Sequence, residues 1–228
     1  MRILITGNMG YVGAALNQIL KDSNPSAEII GYDTGYFNHS FSKFPHSDKG
    51  LDLQYFGDIR DISMSHIENV DSIVHLAAVS NDPIGNEFEQ VTSEINYDAS
   101  IRLIKMAVKA GVKNFVFASS CSIYGTGGNE SKKETDPIEP LTAYSRSKIF
   151  TEEEVKKINL ESMLFTSLRF ATACGWSNRL RLDLVLNDFV ACAASRRNIN
   201  VQSDGTPWRP LIDVEDMSRA IVWAINRK

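Results

Sequence analysis

A doubly wound α/β fold, a parallel sheet with helices on both faces, is what this sequence predicts. Three observations lead there. Short apolar runs alternate with helix-length windows along the chain, which is how strands joined by crossover helices read. The runs are apolar without a strict polar alternation, as strands covered on both faces are. A glycine-spaced turn follows the first run directly. At 228 residues, with 43% apolar and 23% charged side chains, the chain suits one large domain, or one domain plus a small appendage.

The elements follow in order. Residues 2–6 (RILIT) form the first strand, and a periodic window at about 11–22 the first helix. Residues 28–33 (EIIGYD), 71–76 (DSIVHL) and 114–118 (NFVFA) are further strands. From about 93 to 110, Ile95, Ala99, Leu103, Met106 and Ala110 recur at three- and four-residue steps, an amphipathic helix that Gly111 ends. A helix over about 142–159 carries Glu152/Lys156 and Glu153/Lys157 four apart, which reads as a solvated charged face. Residues 163–170 (MLFTSLRF) are a strand, and about 184–195 and 214–226 are helices. The loosest stretches, about 34–50 and 125–141, follow strands, where an open α/β sheet places its ligand loops.

Composition removes several classes of function. The net charge is −4, so nothing global draws the chain to nucleic acid or an anionic membrane. No apolar stretch nears the roughly 20 residues that span a bilayer, and the first residues do not read as a signal peptide. Cys121, Cys174 and Cys192 form no CxxC or Cys/His cluster, which predicts reduced thiols in a cytoplasmic protein and no bound metal.

Gly7, Gly10 and Gly13 lie in TGNMGYVG, between the first strand and the first helix. A tight turn, close backbone approach and the free N–H groups of a helix start suit a pyrophosphate. The second strand ends in Asp33, 20 residues after Gly13, where a carboxylate accepts from adenosine ribose hydroxyls and repels a 2′-phosphate. Together they predict a Rossmann-like, dinucleotide-binding turn that favours NAD over NADP.

AYSRSK places Tyr144 and Lys148 four apart on one helix face. A phenol near pKa 10 is a poor base at neutral pH, and an adjacent ammonium together with a positive nicotinamide ring favours the phenolate by about 1–3 pH units. The upstream segment FASSCSIYG, residues 117–125, offers a hydroxyl from a strand end.

TGxxGxxG, Asp33, Gly57-Asp58-Ile59, HLAA at 75–78, SSCSIYG, YSRSK and SDGTPWRPLIDVEDMSRAI at 203–221 occur in the order of the extended short-chain dehydrogenases/reductases. The chain resembles their NAD-dependent nucleotide-sugar epimerase/dehydratase branch over essentially its whole length. The resemblance implies that Gly7, Gly10 and Gly13 hold the pyrophosphate, Asp33 the ribose, Asp58 and Ile59 the adenine, and Leu76, Ala77 and Ala78 the groove wall. It implies Tyr144 as catalytic base, Lys148 as its partner on the nicotinamide ribose, and Ser120 as the catalytic hydroxyl. Arg209 is expected on a substrate phosphate and Asn187 near the sugar-nucleotide diphosphate. Residues 1–170 then form the NAD-binding domain and 171–228 a partial substrate region mixed with the last elements of the first. The function it implies is a nucleotide-sugar epimerase, of the C4 type, working by transient hydride transfer to bound NAD. Its alternatives are a dehydratase, decarboxylase or reductase of the same branch, and a catalytically silent NAD-binding module. A homodimer is the assembly carried as an expectation.

Three departures bear on the reaction. The Asp-Glu pair of the 4,6-dehydratases is Cys121 and Ser122 here, Thr172 stands where many members have Asn, and the substrate lobe is expected to be short. Cys121 is expected to be a half-buried, inert thiol rather than a replacement acid. Trp176, Trp208 and Trp223 read as packing or loop anchors, and His75 as a groove wall with a backbone partner. Arg179 and Arg181 are either solvated charges or a phosphate rim.

Overall fold

In the computed structural model, which describes residues 1–37, 50–80, 82–126, 130–201, 203–205 and 208–227, six parallel strands form one sheet. Most of the loose stretch at 34–50, residues 127–129 of the second, and Thr206 and Pro207 of the 203–221 motif lie outside the described residues. In chain order the main-sheet strands are β1 (Arg2–Thr6), β2 (Glu28–Asp33), β3 (Leu53–Phe56), β4 (Ser72–His75), β5 (Asn114–Ser120) and β6 (Leu164–Phe170). Their spatial order is β3-β2-β1-β4-β5-β6. The direction of succession therefore reverses between β1 and β4, and a crevice at that switch point is where such sheets bind ligands.

The side-chain period of two explains how β1 is buried from both sides. Ile3 and Ile5 join Leu16 and Leu20 of α1 (Tyr11–Ser23). Leu4, on the opposite face, joins Leu103 and Ile104 of α5 (Ala99–Lys109). All of these are fully buried, and each contributes roughly 1.5–3 kcal/mol. Gly111, at φ +73°, ends α5 as expected, and Val112 N–H closes back on Ala107 O at 3.0 Å. The helical run that leads into α5 begins earlier than the apolar spacing predicts. It is preceded by α3 (Asp82–Glu87), α4 (Glu89–Ser93) and a π-helical turn at Glu94–Asp98. Residues 89–91 are polar or exposed, so apolar periodicity is silent over that stretch.

Sequence periodicity also passes over β3, a four-residue edge strand that is only half buried. Two three-residue strands, β7 (Thr172–Cys174) and β8 (Leu211–Asp213), pair in parallel as a second sheet. The remaining helices are α2 (Met64–Ile67), α6 (Ala143–Val155), α7 (Val185–Arg196) and α8 (Val214–Ile225). Asp213 caps α8 through the Glu215 N–H at 2.8 Å. Ile221 and Ile225 of α8 return to the β1 core, so the last helix belongs to the large sheet.

The expected solvated face of α6 needs a correction. Glu152 points inward to β6, where Arg169 takes it at 2.6 Å, and Lys157 pairs with Glu154 instead. A charged residue inside the β6 run creates the demand for a buried partner, and the helix face toward the sheet supplies it.

Candidate active site

The glycine loop is built so that two of its glycines have no substitute. Gly7 sits at φ +75°, its N–H bound to Tyr32 O at 2.8 Å, and a Cβ there would lie 2.6 Å from Ala77 N. A Cβ on Gly13 would come within 2.5 Å of Asn8 Cα. Gly10 is the N-cap of α1 and places no side chain over its first amides, which lack intrahelical partners. Asp33 closes the loop from β2: its carboxylate accepts from Gly35 N–H at 2.9 Å and Met9 N–H at 3.1 Å. Burial pushes this carboxyl up from its ordinary range, and those amides oppose the rise. A cradle too close for side chains, a helix start and a carboxylate at the next strand end are the donor set a dinucleotide needs, so the residues present fit NAD.

Around it, Asp58 accepts from the Arg60 backbone at 2.8 Å and pairs with its guanidinium at 2.9 Å. Arg60 holds the Asp58 carboxyl below its usual range. The side chain of Ile59 turns into the core, so any adenine contact from this residue would come from its backbone. Leu76 N–H binds Thr6 O at 2.9 Å, and Leu76, Ala77 and Ala78 line up half-buried beyond β4. Asn96, on the π-helical turn, brackets Val79 from both sides, with Val79 N–H at 2.8 Å and Val79 O at 2.9 Å. A buried chain runs from there: Ser100 Oγ donates to Asn96 O at 2.6 Å, His75 Nε2 meets Ser100 Oγ at 2.8 Å, and His75 Nδ1 meets Thr6 Oγ1 at 2.7 Å. His75 thus finds hydroxyl partners where a backbone partner was expected. Burial, aided by Lys148, pulls it down to about 3, so it stays neutral.

The α6 start is fixed three ways. Thr142 and Ser145 form a capping box, Asn86 Oδ1 accepts from Ala143 N–H at 3.1 Å, and Arg146 pairs with Glu89. This fixes the first-turn residue Tyr144. One turn on, the Lys148 ammonium lies 5.4 Å from the Tyr144 ring centre and 4.7 Å from that of Phe117. Lys148 is 2% exposed, and burial lowers it to about 7 against the opposing charge of Glu152. Ser120 ends β5 and caps the 3₁₀ turn Cys121–Tyr124, accepting from Ser122 N–H at 3.1 Å, and α6 packs on that turn. An accepting hydroxyl keeps its own proton to donate.

Over the crevice lies the segment after β7. Ser177 Oγ donates to Tyr11 O at 2.7 Å, and Tyr11 Oη to Gly175 O at 2.7 Å. Arg181 reaches Ser80 Oγ at 2.8 Å, while Arg179 lies 4.6 Å from the Phe37 ring centre. Asn187, expected near the diphosphate, is tied into this segment. Its amide donates to Arg181 O at 3.0 Å and Tyr11 Oη at 3.2 Å, and its oxygen accepts from Gly175 N–H at 3.1 Å. With both hydrogens spent, it braces the segment. Arg209 is exposed, and its charge acts on the Cys121 thiol, which burial pushes up.

Sequence reasoning missed Asn86, Asn96, Tyr11, Ser177 and the Glu152–Arg169 pair. Only Arg169 left a signal, as a lone charge within an apolar strand.

Comparison with known proteins finds matches along the chain. The model of the NAD dependent epimerase/dehydratase family matches residues 3–228. A UDP-glucose 4-epimerase of Lactobacillus helveticus is 25% identical over 246 residues, covering 99% of this chain and 72% of that relative. The structure of MoeE5 in complex with UDP-glucose and NAD superposes with a TM-score of 0.83 at 25% identity, over 99% of this chain and 72% of that one. DesIV, a dTDP-glucose 4,6-dehydratase from Streptomyces venezuelae with NAD bound, gives 0.83 at 25% identity, over 97% and 71%.

Proposed function

This chain belongs to the NAD-dependent epimerase/dehydratase family and is an NAD-dependent enzyme of the short-chain dehydrogenase/reductase type, and from that premise we propose that it epimerises a nucleotide-activated sugar at C4. The observation that carries the reading is the Tyr144–Lys148 pair beside the Ser120 turn, with Cys121 and Ser122 in place of a carboxylic acid pair.

Residues 1–170 carry the cofactor side, with Gly7, Gly10 and Gly13 at the pyrophosphate, Asp33 at the ribose and Asp58 toward the adenine. Residues 171–213 carry the substrate side, and α8 returns to the first. NAD, when bound, supplies a reversible two-electron acceptor at the sugar carbon. Tyr144, held as phenolate by the Lys148 ammonium, takes the hydroxyl proton as the carbon is oxidised. The Ser120 hydroxyl donates to the oxygen that becomes the carbonyl. Reduction on the opposite face, with the proton returned by Tyr144, gives the epimer. Arg209, exposed ahead of β8, offers a guanidinium fork that suits a substrate diphosphate.

Expelling a sugar hydroxyl needs a proton delivered as the bond breaks, help worth about 10²–10⁴-fold. Ser122 is too weak an acid for this, and burial makes the Cys121 thiol a weaker one. That favours epimerisation over dehydration. Tyr144→Phe tests the role given to the phenol. It should abolish turnover of a nucleotide-activated hexose while calorimetric NAD affinity stays within about twofold, since the ring is retained. Wild-type turnover in that variant would defeat the mechanism.

A further inference from the structure

Glu152 lies one turn beyond Lys148 on α6 and is 7% exposed. Arg169 grips its carboxylate with Nη2 at 2.6 Å from Oε2, and with Nε at 3.1 Å from Oε2 and 3.2 Å from Oε1. Ser167 Oγ donates to Oε1 at 2.8 Å, and the Ser119 hydroxyl faces the same group. The remaining arm of Arg169 donates to Tyr124 Oη at 2.7 Å and Glu134 O at 3.1 Å. One guanidinium therefore joins the helix bearing Tyr144 and Lys148 to the turn that starts at Ser120 and ends at Tyr124.

A buried ion pair is weak support for stability, because desolvation consumes most of the attraction. What it does supply is geometry and a fixed charge. Resting on the catalytic reading above, we propose that Glu152 and Arg169 are a positioning pair that sets the serine turn against the Tyr-Lys helix and places a carboxylate behind Lys148.

The surrounding charges decide the direction of the effect. Lys148 is faced by Tyr144 and Glu152 on α6, by the neutral His75 of β4 and by the Phe117 ring of β5. Glu152 is faced by Arg169 and Ser167 of β6 and Ser119 of β5, with Tyr124 beyond Arg169 and Lys156 along the same groove. Of these, Glu152 carries the negative charge that favours the charged lysine. Without its charge Lys148 gives up its proton more readily, and the phenolate loses its nearest cation.

Spectroscopic titration of Tyr144 reads this with no substrate and no cofactor, so it stays informative whatever reaction the enzyme performs. The Tyr144 signal is the ultraviolet difference between each protein and its Tyr144→Phe counterpart. Glu152→Gln should raise the midpoint by about one pH unit, a tenfold loss of phenolate at a given pH. Glu152→Asp should restore part of it. The double variant Glu152→Gln/Arg169→Gln leaves no unpaired buried charge, so it folds even where the single one does not, and its midpoint should also rise. Midpoints unchanged in the Gln variants, with stability or turnover lowered equally at every pH, would show a merely structural pair and overturn the proposal.

Discussion

Replacing Lys148 by Met should make the protein more stable and inactive at once. The ammonium is 2% exposed and sits between two aromatic rings, and burial lowers it from an ordinary 10.5 to about 7. A lysine whose folded value is depressed reverses the usual sign. Below pH 7 both states are protonated, and the full cost of burying the charge, about 4–5 kcal/mol, is present. Between pH 7 and 10.5 the unfolded chain binds more protons, so stability rises with pH, by about 2 kcal/mol from pH 7 to pH 9. Met fills the same volume without charge. Urea denaturation of the cofactor-free protein across pH 6–10 measures both. Lys148→Met should exceed wild type by about 2–4 kcal/mol at pH 7, and the two curves should converge by pH 10. A variant no more stable at pH 7, or curves that run parallel, would refute the assignment of a strained buried ammonium.

Three further variants test the cofactor side, one of them as a control away from it. Gly13→Ala, whose Cβ would meet Asn8 Cα at 2.5 Å, should cost at least about 1–3 kcal/mol and weaken NAD binding. Gly111→Ala has positive φ but open space around it, so it should cost about 1 kcal/mol and leave NAD binding alone; denaturation and calorimetric titration of both separate fit from backbone strain. Asp33→Ala should weaken NAD and narrow its advantage over NADP, and an undiminished preference would remove Asp33 from that role. Because Asp33 also holds the Met9 and Gly35 amides, some of the loss should appear as lower stability.

The sheet was legible because its strands are buried on both faces and so read as apolar runs; β3, half-exposed at an edge, gave no such run. The glycine loop and the Tyr144/Lys148 spacing were legible because each rests on local geometry, a tight turn or one helical turn. Long-range partners were not. Asn86 reaches α6 across 57 residues and Arg169 reaches Glu152 across 17, and no local pattern encodes either meeting. Glu152 was misread for the same reason: spacing along α6 shows which residues share a face, while β6 decides which face is dry. The hydrogen bonds of Asn187 to Tyr11 and Gly175 are likewise meetings that no local pattern encodes.

The most direct test of the epimerase reading is the mass of the product. Purified protein with NAD, incubated with nucleotide-activated hexoses and followed by mass spectrometry and sugar separation, should give a product of unchanged mass and inverted C4 configuration. A 4-keto-6-deoxy product, lighter by one water, would contradict it. Loss of that water elimination in Cys121→Ala would then identify the half-buried thiol as the acid, against the rise in its pKa that burial causes.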